Sequence, residues 1–278
     1  MKKNNAALTV WRIIYRVFLV ILYLLPIAML LWVGFKSRSD IAKDILGMPS
    51  EWIGFENFEE AIEEMEFLQS LGNSLLITII STVCLCIFPA MAAWVLVRDK
   101  SKKSNFVFML FSISMLIPFQ CVMLPLMQIM GKNGLNMMNR GGLIIAYIGF
   151  GSAMSIMLYH GFIKGIPVEL EEAAAIDGCS TPGIFFRIVL PLLGPITTTV
   201  AIINIMWIWN DYLLPRIVLF GKNDLYTLPL QTSAFFGSFT TNWGVAAAAL
   251  LLIMLPVIVF YILAQKKIIK GVVDGAVK

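Results

Sequence analysis

The feature that most constrains this chain is its division into long apolar blocks. Of its 278 residues, 59% are apolar and only 14% are charged, whereas soluble domains average about 45–50% apolar and roughly 25% charged. The apolar excess lies in blocks near the ~20 residues that a helix needs to cross a ~30 Å hydrocarbon core. This pattern predicts an all-α membrane protein in which residues 1–278 form a single transmembrane domain. Six spans are predicted, at about residues 10–35, 71–97, 106–130, 143–163, 193–215 and 245–264.

Two of these predicted spans need interpretation. Pro118 and Pro125 interrupt the third span, and a proline inside a helix removes a backbone donor and clashes with the preceding turn. In a membrane, neighbouring helices can satisfy the freed carbonyls, so we expect a kink there. The first apolar block follows basic residues, as a signal peptide would, but it is longer than a usual signal-peptide core and no cleavage pattern follows it. We therefore expect a retained first helix.

The positions of lysine and arginine predict how the six spans are oriented. With six spans, both termini and the second and fourth loops share one side of the membrane. That side holds fourteen of the 21 lysines and arginines, and an excess of these residues marks the cytoplasmic side. Both termini are therefore expected in the cytoplasm. The net charge of +4 is a topology signal and not a sign of nucleic-acid binding, since no basic face with interleaved aromatics is present.

Several kinds of chemistry lack the residues that they need. The four cysteines and the single histidine do not suggest a metal site, because Cys84 and Cys86 point to nearly opposite sides of a helix and His160 has no ligand partners. There is no basis for a Ser-His-Asp triad, and no G-x-x-x-x-G-K-[ST] phosphate loop occurs. We expect no enzyme activity and no cofactor bound by this chain. Asp99 and Asp211 fall at span ends, so the midplane acids of an ion-coupled carrier are also missing.

The polar segment between the fourth and fifth spans, residues 165–191, carries strong helix signals. A proline suits the first turn, the glutamates that follow complement the helix dipole, and three alanines favour the helix. Gly178 can adopt the left-handed conformation that closes a helix. Thr181 is the expected cap of a second helix, with Pro182 at its first position and Pro191 ending it. A short helix is marginal alone in water, so this cytoplasmic helix–turn–helix either packs on a partner or lies on the lipid headgroups.

The same segment resembles the EAA loop of ABC importer permeases. It contains Glu-Ala-Ala-x-x-Asp-Gly, then nine residues, then Ile-x-Leu-Pro, with Cys179 where alanine or serine is more usual. In that family the loop forms coupling helices that sit in a groove of the ATP-binding subunit. The resemblance implies that the following residues couple the chain to the ATPase: Glu172, Ala173, Ala174, Asp177, Gly178, Ile188, Leu190 and Pro191.

Further stretches narrow the resemblance to carbohydrate-type permeases. They are similar to the shorter, second permease of maltose-type systems, and they lie at Met123–Met127, Gly134–Asn136, Trp209–Pro215, Tyr226–Leu230 and Gly271–Lys278. The resemblance implies a heterodimer with a second permease, two ATP-binding cassette subunits that hold ATP and Mg²⁺, and an external solute-binding protein that delivers a sugar or oligosaccharide. It also implies the cell membrane of a prokaryote as the location. Two alternatives stay open: the same machinery importing a glycerol-phosphate-type or other non-sugar solute, and a secondary carrier or channel.

Two groups of residues outside the loop suggest further roles. In the outer segment 57–71, Asn57 and Glu60 resemble a capping box, which predicts an amphipathic helix. Aromatic and amide side chains near the outer end of the fifth span suit sugar stacking and hydroxyl bonding, although tryptophans also form interfacial belts without a ligand and a buried amide can simply bond a neighbouring helix. The candidates for the substrate pathway are Asn204, Trp207, Asn210 and Asp211.

Overall fold

A computed structural model describes the backbone of residues 4–235 and 242–276, and the side chains of residues 8–235 and 242–265. In these ranges the chain is mostly helical, and its extended structure is limited to one isolated bridge between Lys36 and Trp52. The all-α fold class is therefore confirmed. The helices, in chain order, are α1 (Asn4–Gly34), α2 (Arg38–Lys43), α3 (Glu56–Glu64), α4 (Phe67–Arg98), α5 (Lys102–Ser114), α6 (Phe119–Met130), α7 (Arg140–Ile163), α8 (Glu169–Ile176), α9 (Thr181–Ile184), α10 (Leu190–Leu192), α11 (Gly194–Asn210), α12 (Leu213–Val218), α13 (Leu228–Gln231) and α14 (Trp243–Ala276).

Four of the described helices are long and apolar enough to cross a membrane alone. They are α1 over Leu8–Gly34, α4, α7, and α14 over Trp243–Gln265. Two bent pairs add to them: α5 with α6, bent by 102°, and Thr181–Leu192 with Gly194–Asn210, bent by 78°. Counting each bent pair as one span gives six, the number that the sequence predicts. The chain is a multi-pass membrane protein, while its orientation and the single domain over residues 1–278 stay predictions.

Two span predictions need correction in detail. The kink predicted in the third span is a full break at Pro118, which has extended backbone (φ −60°, ψ 137°) and separates α5 from α6, whereas Pro125 lies inside α6 without ending it. The predicted fifth span, 193–215, ends early. Asp211 is extended at ψ 133° and closes α11 after Asn210, and the chain re-enters a helix only in α12.

The described chain divides into two compact units, the first built from the chain up to Leu68 together with Gln231–Pro256. Here the predicted capping box is wrong. Phe55 is the N-cap residue of α3, while the buried Asn57 side-chain amide donates to the carbonyl oxygens of Gly34 (2.9 Å) and Lys36 (3.0 Å). The predicted single helix over 57–71 is also two helices, since Glu66 adopts a positive φ of 44° between α3 and α4.

The second unit takes Gln69–Leu230 and the chain from Val257 onwards. Two buried apolar clusters hold its helices together. One joins α4, α7, α11 and α12 through residues that include Leu85, Tyr147 and Leu214. The other joins the C-terminal part of α4 and α7 to the segment that follows α7, through residues that include Ala174 and Phe185. The predicted helix–turn–helix therefore packs against the ends of α4 and α7.

Candidate functional site

The first limb of the predicted helix–turn–helix is α8. Its first turn contains three glutamates, which complement the positive end of the helix dipole. Gly178 adopts a φ of +83°, so the predicted left-handed turn is confirmed. The Gly178 amide donates to the Ala175 carbonyl and the Cys179 amide donates to the Ala174 carbonyl, each at 3.0 Å. These two bonds satisfy carbonyls that the end of a helix otherwise leaves unpaired.

The second limb differs from the prediction at both of its ends. The N-cap is Ser180, with extended backbone and no side-chain cap bond, so that Thr181 is the first helical residue and Pro182 the second. Pro191 does not end the helix, which continues to Leu192. A π-helical turn over Phe185–Val189 lies directly before α10, and the Leu190 amide donates to the Phe185 carbonyl. The wider turn accommodates the proline ring, which in a regular helix clashes with the carbonyl four residues earlier.

Burial on α8 is opposite to that of an ordinary amphipathic helix. Its buried residues are Glu171 and Ala174, 8% and 7% exposed. Its outward side carries Leu170, 46% exposed, and Ile176, 86% exposed. A charged residue thus faces the protein while a large aliphatic residue faces out.

The residues that the resemblance singles out divide into two sets. Glu172, Ala173, Asp177, Gly178 and Pro191 are exposed. Ala174, Ile188 and Leu190 instead pack in or against the cluster that joins the loop to α4 and α7. The structure therefore brings the first set onto the free surface of the loop, and uses the second set to hold the loop in place.

The buried Glu171 carboxylate is held by two side chains at the end of α4. Trp94 Nε1 donates to Oε2 at 2.8 Å, and Arg98 donates to Oε1 through Nε at 3.0 Å and Nη2 at 2.7 Å. Arg98 Nη2 also donates to the Ile166 carbonyl at 3.0 Å. Sequence reasoning missed Trp94 and Arg98, although a tryptophan and an arginine four residues apart at a span end, facing an acidic loop, are a readable signal.

A pocket of about 880 Å³ opens beside this contact. Arg98 lines it from α4, Lys164 from the end of α7, and Glu169 and Glu172 from α8. The pocket thus presents charges of both signs next to the exposed face of the loop, which suits a protein surface better than a simple ion.

The candidates for the substrate pathway do not form one site. Asn204 is buried and its Nδ2 donates to Ser155 Oγ on α7 (3.1 Å) and to the Val200 carbonyl (2.8 Å), which favours the interhelical role. Asn210 is exposed and bonds the Met206 carbonyl of its own helix.

Trp207 and Asp211 meet a tyrosine that sequence reasoning missed. The Tyr147 hydroxyl donates to Asp211 Oδ2 at 3.0 Å, and its ring lies edge-on to Trp207 with centroids 5.4 Å apart. Trp207 is 40% exposed. An exposed indole beside a carboxylate is the kind of surface that stacks on and bonds a sugar. Tyr147 itself is buried, so its hydroxyl positions the carboxylate, and the periodicity of α7 did not predict this contact.

This chain is similar to a known protein family, to individual permeases and to a solved structure. Residues 85–273 match the family described as the binding-protein-dependent transport system inner membrane component. The chain is 42% identical to the probable starch degradation products transport system permease protein of Thermoanaerobacterium thermosulfurigenes, over 93% of each chain. It is 38% identical to the melibiose/raffinose/stachyose import permease of Bacillus subtilis over 92% of each chain, and 31% identical to the multiple sugar-binding transport system permease of Streptococcus mutans over the whole of both.

A solved structure shares the fold. It is the crystal structure of a bacterial ABC transporter involved in the import of the acidic polysaccharide alginate. The match has a TM-score of 0.78 and covers 96% of this chain and 98% of that chain, at 19% sequence identity. At this identity the match supports the arrangement of helices and says nothing about the transported solute.

Proposed function

Because this chain belongs to the family of binding-protein-dependent transport system inner membrane components, we propose that it is a permease subunit of an ABC importer for a sugar or oligosaccharide. The three permeases with which it shares 31–42% identity are named for sugars or starch products, which favours a sugar over a glycerol-phosphate-type solute. A secondary carrier or channel is disfavoured, since acids are missing from the middle of the spans.

The observation that carries the proposal is the outward apolar face of α8. Fully burying an isoleucine side chain is worth roughly 1.5–3 kcal/mol, and Ile176 is left 86% exposed. A groove on an ATP-binding subunit would cover Ile176 and Leu170, and the flanking Glu172 and Asp177 would meet basic groups at its rim.

The proposed transporter contains five or more chains. A second permease completes the transmembrane part, two ATP-binding subunits hold ATP and Mg²⁺, and an external solute-binding protein delivers the sugar at the prokaryotic cell membrane. Closure of the ATP-binding subunits moves the two coupling loops, and each state is stabilised by different contacts. In this chain Glu172, Ala173, Asp177 and Gly178 would touch the ATP-binding subunit, while Trp207 and Asp211 would line the sugar's path and the buried Tyr147 would hold Asp211 in place.

The test is a comparison of two substitutions of exposed apolar residues. Ile176→Asp should abolish co-purification of the ATP-binding subunits and lower the uptake of radiolabelled raffinose and maltotriose by about tenfold or more, the equivalent of 1.4 kcal/mol in docking. Met48→Asp is the matched control, since Met48 is 79% exposed in a loop on the other predicted side. It should leave docking unchanged.

Three outcomes would contradict the proposal. Wild-type docking and uptake by Ile176→Asp would remove α8 as the docking helix. Uptake driven by an ion gradient without nucleotide would favour the carrier. Nucleotide-driven uptake of glycerol phosphate but of no sugar would favour the other solute class.

A further inference from the structure

The end of α4 contacts both limbs of the helix–turn–helix and the segment that leads into it. Trp94 and Arg98 hold the Glu171 carboxylate of the first limb with three hydrogen bonds of 2.7–3.0 Å. The Trp94 ring also packs on Phe185 in the π-helical turn of the second limb, with centroids 5.5 Å apart. Arg98 bonds the Ile166 carbonyl between α7 and α8. A displacement of the loop therefore cannot leave the end of α4 unaffected without breaking these contacts.

In the contact between Glu171 and Arg98, the carboxylate is well shielded from solvent and the guanidinium borders the pocket. The Glu171 side chain is 9% exposed and that of Arg98 is 23% exposed. Arg98 donates twice to the same oxygen, Glu171 Oε1, and hydrogen bonds in which both partners are charged are shorter and stronger than neutral ones. Separating the two side chains would leave a buried charge without its partner. The contact of Trp94 and Arg98 with Glu171, here called the joint, therefore resists movement of α8 away from α4.

Between its ends α4 is one continuous helix of 32 residues, in spite of Pro89. A proline weakens the helix bonds of the turn before it. Here the Tyr159 hydroxyl of α7 donates to the Cys86 carbonyl, three residues before the proline, at 3.1 Å, and lies 3.1 Å from Thr197 Oγ1 of α11. This brace supports α4 at its weakest turn.

The other end of α4 is also joined by several hydrogen bonds to a loop, the segment 224–228. Gln69 and Asn73 side-chain amides donate to the Asp224 carbonyl at 2.6 and 3.1 Å, and Asn73 also donates to the Tyr226 carbonyl at 2.9 Å. The Leu228 amide donates to Ser74 Oγ at 2.8 Å. The segment 224–228 is thereby tied to the first turns of α4.

We propose that α4 is a relay, in which Trp94, Arg98 and Glu171 transfer movement of the coupling loop to α4 and Gln69, Asn73 and Ser74 pass it to the segment 224–228 at the opposite membrane face. This inference rests on the proposed function, which supplies the ATP-binding subunits. Coupling between two sites is reciprocal, so contact of an external solute-binding protein with this segment would in turn be felt at the coupling loop.

The experiment places a reporter on the far segment and breaks the near joint. The four cysteines are replaced by alanine and Asn223→Cys, at an exposed position, is introduced into the complete reconstituted transporter. Its rate of modification by a membrane-impermeant maleimide is measured without nucleotide and after trapping with ATP and vanadate. The two rates should differ by roughly fivefold or more, the lower end of typical allosteric couplings.

Two variants of different severity break the joint. Glu171→Gln removes the charge, and Trp94→Phe removes the indole N–H donor and part of the ring volume while keeping an aromatic ring next to Phe185. Both should bring the ratio of the two rates close to one while vanadate still traps nucleotide. Glu51→Gln is the matched control, since it makes the same change at an exposed position in the loop before α3, and it should keep the wild-type ratio.

The relay is wrong if both variants keep the wild-type ratio of modification rates. It is also wrong if a transporter with the intact joint traps nucleotide while the modification rate of Asn223→Cys stays the same. ATP-driven sugar uptake with no change at the reporter overturns the relay alone. A change at the reporter in a transporter that moves no sugar overturns the proposed cargo and supports the relay. Failure of the chain to assemble with ATP-binding subunits overturns both.

Discussion

Gly178 provides the sharpest test of how the coupling loop works. Its φ of +83° lies in the region that L-residues other than glycine occupy at a cost of roughly 1–2 kcal/mol. A Cβ built on Gly178 meets no atom within 4 Å, so the chain itself leaves room for a larger residue. The cost of substitution within this chain is therefore one of backbone conformation, and it lowers the population of the closed turn by a factor of about 5–30.

A graded series follows from this cost. Asparagine tolerates the left-handed region best of the non-glycine residues, alanine is worse, and a β-branched residue is worst. In reconstituted vesicles the ATP hydrolysed per sugar imported should rise in the order Gly178→Asn, Gly178→Ala, Gly178→Val, with normal expression of all three. The valine variant should be uncoupled.

The order of the first two variants discriminates between two causes. If a side chain at this position simply collided with the ATP-binding subunit, the larger asparagine would be worse than alanine. Asparagine worse than alanine, or valine coupled as well as wild type, would refute the argument from backbone conformation.

Two further predictions concern residues away from the loop. Hydrogen bonds from the Ser50 hydroxyl and amide hold the pKa of Asp40 below its ordinary value of 3.8, so their contribution to stability is full above that pH and is lost as pH falls through the lowered pKa. Hydrogen exchange of residues 37–50 should show this acid-dependent loss in wild type and a smaller loss in Ser50→Ala, which keeps the bond from the residue 50 amide but not the hydroxyl bond; identical profiles would contradict it. Asn204→Leu should lower thermal stability by about 0.6 kcal/mol, the average for a membrane interhelical hydrogen bond, without changing the KM for sugar, whereas Trp207→Ala should raise the KM; the reverse pattern would exchange their roles.

The features that sequence predicted well are those set by neighbours in the chain. The turn at Gly178 depends on the conformational freedom of one residue and on two bonds to carbonyls three and five residues earlier. The six-span count depends on block length and composition. Both signals are local. The turn is confirmed, and the count of six holds when each bent helix pair is counted as one span.

The features that it missed depend on distant parts of the chain. Asn57 has the residue type and spacing of a helix cap, yet carbonyls 21 and 23 residues earlier take its amide. Thr181 and Ser180 are both good caps, and nothing local decided between them. Pro191 looked like a terminator, but a π-helical turn absorbs it, and no residue pattern announces such a turn.

The three glutamates of α8 also show that the sequence does not reveal contacts between distant residues. Glu169, Glu171 and Glu172 look alike in sequence, since all three suit the first turn of a helix. Only the positions of Trp94 and Arg98 make one of them a buried joint and leave the other two exposed. Buried ion pairs contribute little net stability, because desolvation offsets much of the attraction. A chain that buries a carboxylate on α8 while exposing Ile176 has placed its charge where it fixes the helix to α4 and its apolar surface where another protein can cover it. Under the proposed function, α8 is the part of this chain that would meet the ATP-binding subunits, and the residues that would meet the sugar lie at the far end of α11.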